Sequence, residues 1–258
     1  MTAQRVEPAA AARRGSFDLA AWKPERARLL AASCVVAFAG ALWTQGSVWR
    51  LVTVLLLVDA AVQLLPWRLP RAERPVASVC VEEAAQLAVP TAFVALVLAR
   101  GEPWATAMPA PWWFAVAVAV GAALVAVAGM SIRLLVSGVL AFAAAPLRRA
   151  HKLARAANVI VAPPGEEALF RGIALAASGA AVAPLGILAG AAFVARHHLP
   201  PGVSARTPTR TTLTQILAAA VFLALTVASG SIYPALLAHY VNNAPSLYLE
   251  VRRPTLEG

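Results

Sequence analysis

The chain has 258 residues, 60% hydrophobic and only 13% charged, with a mean hydropathy of +0.71. A soluble domain carries about 25% charged residues, so the composition excludes an ordinary soluble globular domain and implies a polytopic membrane protein. The net charge of +10 does not point to nucleic acid, because the basic residues flank apolar runs as cytoplasmic loops do.

Residues 1–28 are polar and mildly basic, without a clear cleavage site, and read as a mobile cytoplasmic tail. Apolar spans follow at about 29–43, 51–66 and 77–99. Cys34 and Cys80 both fall in these runs and read as buried apolar cysteines. A proline-containing loop leads to Trp112 and Trp113, placed as interfacial aromatics at the start of a fourth span. The run from Trp112 to Pro146 exceeds the roughly 20 residues of one crossing but is short for two. It is read as one long or tilted helix interrupted by Arg133. A fifth span starts near Val159, a sixth ends at His197 and His198, and a seventh covers about 212–229. The eighth covers about 232–249.

The arginines orient these spans. With the N-terminus inside, seventeen of the 22 Lys and Arg residues fall in inside segments, and the outside loops hold only Arg50 and Arg100. The expected fold class is therefore all-α, a membrane bundle of about eight transmembrane helices with both termini cytoplasmic. The expected organisation is a tail (1–28), N-terminal transmembrane helices (29–157), a catalytic transmembrane core (158–250) and a short C-terminal tail (251–258).

Ionisable residues are costly inside hydrocarbon and mark function by default. Glu166 and Glu167 precede Arg171 on the fifth span. Glu167 and Arg171 share a helical face and can pair, while Glu166 points about 100° away. One acid can thus be held while its neighbour faces a cavity as a general base. Pro163, Pro164 and Gly165 are expected to loosen a helix start, placing the acids in a first turn. The blander reading is a polar patch at the membrane interface. His239 and Asn243 are one turn apart and suit a developing oxyanion, or equally a helix-packing pair. His197 ends its span, one turn after Phe193 and beside Arg196 and His198; alone, it reads as interfacial. Glu82, Glu83 and Asp59 are further intramembrane acids that could extend a polar cavity, although pairing with Arg133 or Arg171 or a place near an interface is the leading expectation.

Together, the segments Pro164-Gly165-Glu166-Glu167-Ala-Leu-Phe170-Arg171-Gly172, Phe193-Val-Ala-Arg-His197 and Gly230 to Asn243 resemble the CPBP family. That family comprises type II CAAX prenyl endopeptidases and bacteriocin-processing or immunity-related proteins. The resemblance covers roughly 159–249. It implies an eight-helix bundle with a cavity open to the cytosol. It also implies that Glu166 activates water with help from His197, that Glu167 and Arg171 support the site, and that His239 and Asn243 stabilise the oxyanion. Arg196, where relatives usually carry an apolar residue, is a departure, as is the His197-His198 doublet.

The expected function is an intramembrane endopeptidase acting on a membrane-associated protein or peptide in a bacterial cytoplasmic membrane. The alternative is a non-catalytic scaffold that regulates a partner membrane protein. No nucleic acid and no cofactor are expected. Were a metal used, zinc held by Glu166, His197 and His239 would be the candidate, although no His-Glu-x-x-His pair is present. The Ala-rich, Arg-over-Lys composition suggests a GC-rich bacterial genome, where farnesylated substrates are not expected.

Overall fold

The computed structural model describes residues 25–64, 76–144, 146–177, 182–199 and 209–256. These residues form helices joined by short connections. The long ones are α1 (Arg26–Trp43), α2 (Ser47–Leu64), α3 (Val76–Arg100), α5 (Trp112–Val127), α8 (Arg149–Phe170), α10 (Val182–His197), α11 (Thr209–Ser229) and α12 (Tyr233–Arg252). Shorter helices are α4 (Pro103–Thr106), α6 (Ile132–Val136), α7 (Val139–Ala143) and α9 (Gly172–Ala176). The segments Arg26–Trp43 and Arg210–Ser229 are long and apolar enough to cross a membrane, and three shorter apolar helices accompany them.

Packing places α8 between α3 and α12, with α10 against α1 and α11, and α5 against α12. Glycines allow the closest approaches. A Cβ at Gly165 would lie 2.2 Å from the Pro90 Cβ on α3, and one at Gly121 would lie 2.6 Å from the Ala238 carbonyl on α12. The main apolar core gathers Phe38, Leu56, Phe93, Leu169, Phe170 and Phe193, so α8 and α10 carry their polar motifs out of a packed aromatic layer.

Three expectations give way here. The run from Trp112 is not one long helix. It stops at Val127, continues through Gly129 at φ +74, and resumes as two short helices separated by Gly138 at φ +80. The Arg210 guanidinium donates to the freed Val127 carbonyl at 2.9 Å, and the Ser131 hydroxyl caps α6. Helix α5 is thus about 24 Å long. Arg133 lies exposed on α6.

Helix α8 also begins ten residues earlier than expected, at Arg149, with Pro163 and Pro164 in its interior. The two acids therefore lie in the last turns of α8, not the first, and the helix dipole does not favour them there. A proline removes the N–H that would bond four residues back. The Ile160 carbonyl, freed by Pro164, instead accepts from the Tyr240 hydroxyl of α12 at 2.9 Å.

At the N-terminal end, α1 starts at Arg26 rather than beyond residue 28. Arg28 is buried, and donates to the Leu199 carbonyl at 2.7 Å and the Gln63 carbonyl at 2.6 Å. It is a tie between helices rather than a loop charge. At the other end, the segment after α12 is held by its neighbours. Thr255–Leu256 pairs in parallel with Leu147–Arg148, a short two-stranded exception among otherwise helical described residues. The Lys152 ammonium donates to the Thr255 hydroxyl at 3.0 Å, and the Arg155 guanidinium donates to Glu250 at 2.9 Å.

Candidate functional site

Helices α8, α10 and α12 bring the sequence-derived polar residues together. Glu166, His197, His239 and Asn243 line one cavity of about 460 Å³, whose wall also includes Arg155, Glu250 and Arg253. An adjoining cavity of about 310 Å³ shares His197, His239 and Asn243, and is bounded by Phe193 and Phe222. His197, His239 and Asn243 thus border both a charged cavity and a recess of mixed polar and apolar lining.

The paired acids divide as the helical spacing requires. Glu166 faces the cavity, whereas Glu167 is fully buried. Glu167 Oε1 accepts from His239 Nδ1 at 2.7 Å, and its Oε2 stands 3.4 Å from Arg171 Nε. That second contact is an ion pair without hydrogen-bond alignment, and the buried Arg171 nitrogens have no acceptor among the described residues. Its guanidinium lies instead over the Phe193 ring, 4.1 Å from the centroid, and 5.5 Å from that of Phe222. Aromatic faces attract a desolvated cation. The same rings hold His239: Phe222 stacks on it at 5.3 Å and Phe193 meets it edge-on at 6.2 Å.

The proton positions follow from these contacts. With Nδ1–H given to Glu167, His239 presents Nε2 toward Glu166, 3.9 Å from its Oε2. His197 donates Nδ1–H to the Phe193 carbonyl at 2.8 Å, leaving Nε2 as the ring nitrogen available to water. Phe193 therefore does more than pack, since its carbonyl orients one histidine and its ring braces the other. The doublet resolves in favour of His197 at the cavity, because His198 instead meets the Gln215 side chain at 3.1 Å. The Asn243 amide has no hydrogen-bond partner among the described residues, so its donors remain available to a ligand.

One participant was not foreseen. Arg196 is buried and stands 3.2 Å from Glu166 Oε1. Its Nε lies 2.7 Å from Asp59 Oδ2, a residue of α2. Asp59 thus pairs with Arg196 rather than with Arg133 or Arg171. Glu166 is accordingly not a lone carboxylate in an apolar cavity. The sequence signal was the unusual arginine itself, but its partner lies 137 residues away. The side chains of Glu82 and Glu83 lie outside the described residues.

Among the described residues, no three His, Cys, Asp or Glu side chains form a group able to hold a metal ion. The chemistry on offer is that of an acid held beside a histidine, a second acid orienting another histidine, and a free amide donor. This combination can deprotonate a water and receive a developing negative charge.

Searches of curated proteins and of solved structures return no match for the chain. A family model does match, over residues 148–245: the type II CAAX prenyl endopeptidase Rce1-like family. The match spans Glu166, Glu167, Arg171, His197, His239 and Asn243, and ends before Glu250. The protein is a helical integral membrane protein of peptidase type. The match over residues 148–245 supports membership of the Rce1-like type II CAAX prenyl endopeptidase family.

Proposed function

We propose that the protein is an intramembrane endopeptidase that uses Glu166 as its base, without a metal, to hydrolyse a membrane-associated protein or peptide. The observation that carries this reading is the meeting of Glu166, His197, His239 and Asn243, from three helices, on the wall of one cavity. Glu166 takes a proton from water, and His197 Nε2 helps hold that water. The resulting hydroxide attacks the peptide carbonyl, and the oxyanion accepts from Asn243 and His239. Because Nδ1–H of His239 is committed to Glu167, Nε2 donates only when the ring is an imidazolium, whose charge both acids face. Asn243 carries no such condition. Collapse of the intermediate breaks the C–N bond, and the proton held by Glu166 passes to the departing amine.

Metal-free chemistry is supported by the engagement of Glu166 with Arg196, since a carboxylate oxygen shared with a guanidinium is a poor ligand. The distribution of the basic segments supports eight crossings of a bacterial inner membrane with both termini in the cytoplasm. Comparing protein N-termini in cells that carry the wild type or Glu166→Gln tests the reading. Termini that depend on the wild type should fall by about 10² or more with the variant. Unchanged termini, with both proteins inserted at equal levels, would sink the glutamate mechanism.

A further inference from the structure

We propose that Arg196, anchored by Asp59, is a positioning residue that fixes which oxygen of Glu166 acts on water. The inference rests on Glu166 being the base. Arg196 donates in two directions at once, from Nε to Asp59 Oδ2 at 2.7 Å and from Nη1 to Glu166 Oε1 at 3.2 Å. A guanidinium is a rigid planar fork, so engaging one edge with Asp59 sets the direction of the other. Glu166 Oε1 is thereby occupied, and Oε2 is the oxygen turned toward His239, 3.9 Å from Nε2. Without Arg196 the two oxygens would be equivalent and the carboxylate free to rotate in the cavity.

The anchor is buried and comes from outside the family-matched region. Asp59 is 2% exposed and Arg196 is 8% exposed, and such charges persist only when paired. One turn after Asp59, the Gln63 carbonyl accepts from Arg28, which also holds the Leu199 carbonyl. The end of α10 is therefore fixed on both sides of His197, at Arg196 by α2 and at Leu199 by α1. The N-terminal helices act on the catalytic geometry through these two arginines, and Arg196 is the one that reaches a reacting group.

A purely structural pair would only hold α2 to α10, and the two roles separate experimentally. The variants are Arg196→Met, Asp59→Asn, the double Asp59→Asn/Arg196→Met, and Glu166→Gln as reference. All are purified in full length and assayed on a synthetic peptide spanning a wild-type-dependent cleavage site. Arg196→Met alone strands a buried carboxylate, so it should melt below the double variant, in which both charges are gone. If Arg196 positions Glu166, the double variant regains thermal stability but kcat stays about 10- to 100-fold down, with KM near that of the wild type. Recovery of wild-type kcat in the double variant, with Glu166→Gln inert, overturns the positioning role and leaves Glu166 as the base. Full turnover by Glu166→Gln, or no wild-type-dependent cleavage at all, removes the base itself and this inference with it.

Discussion

Gly165 is where fold and chemistry can be perturbed by one methyl group. It precedes Glu166 and lies where α8 crosses α3. A Cβ there would sit 2.2 Å from the Pro90 Cβ, 2.6 Å from the Pro90 carbonyl carbon and 2.8 Å from its Cα. Carbon atoms pack at about 3.5–4.0 Å, so Gly165→Ala demands at least about 1.3 Å of separation. Pro90 offers no flexible end to yield, because two of the three contacts are backbone. Overpacking of this kind costs about 1–3 kcal/mol, while replacing a helical glycine by alanine returns about 0.5–1 kcal/mol. The difference spans about 0 to 2.5 kcal/mol, and an overlap this deep against backbone puts the loss in the upper part of that range. The displacement is borne by the residue beside the base, where an error of about 1 Å can cost on the order of 10² in rate. Gly40→Ala in α1 is the control, since nothing lies within 4 Å of its Cβ position. It should match or exceed the wild-type melting temperature and keep full activity. Thermal unfolding in detergent and peptide cleavage measure both. A Gly165→Ala protein that melts and turns over as the wild type does would refute the reasoning.

Asn243→Ala should reduce turnover by about 10²–10³ with little change in melting temperature, because the amide has no partner to lose among the described residues. A wild-type rate would remove it from the site. Prolonged treatment with a strong chelator should leave activity intact, and purified protein should hold substoichiometric zinc; activity abolished by chelation and restored by zinc would make Glu166, His197 and His239 ligands. Reporter fusions at Arg71, Arg149 and Arg206 should read cytoplasm and one at Glu102 the opposite side, and a periplasmic signal at Arg149 would overturn the proposed orientation.

The elements legible in the sequence were those with local causes. The spacing of Glu167 and Arg171 placed both on one face, and they do stand 3.4 Å apart. His197 stands one turn after Phe193, and it, rather than His198, lines the cavity. What misled was also local. Pro163-Pro164-Gly165 carries every signal of a helix start, yet α8 runs through it. The reason is tertiary, since the Tyr240 hydroxyl takes the carbonyl that Pro164 orphans. The stop at Val127 has a local cause in Gly129 at φ +74, although the donor to its freed carbonyl, Arg210, lies 83 residues later. Asp59 and Arg196 could not be matched from sequence because residue type alone does not choose among several buried acids and arginines. Only the packing of α1 and α2 against α10 makes that choice.

The short parallel pairing of Leu147–Arg148 with Thr255–Leu256 carries a consequence about parity. Two strands that exchange hydrogen bonds lie on one side of a bilayer, so the chain between them must cross it an even number of times. Four long helices, α8, α10, α11 and α12, occupy that interval. Four full crossings satisfy the condition, whereas any arrangement with three or five is forbidden. This constraint owes nothing to hydropathy or to the distribution of arginines. It makes the entry to α8 and the exit from α12 neighbours on the same surface, at the cavity mouth formed by Arg155, Glu250 and Arg253.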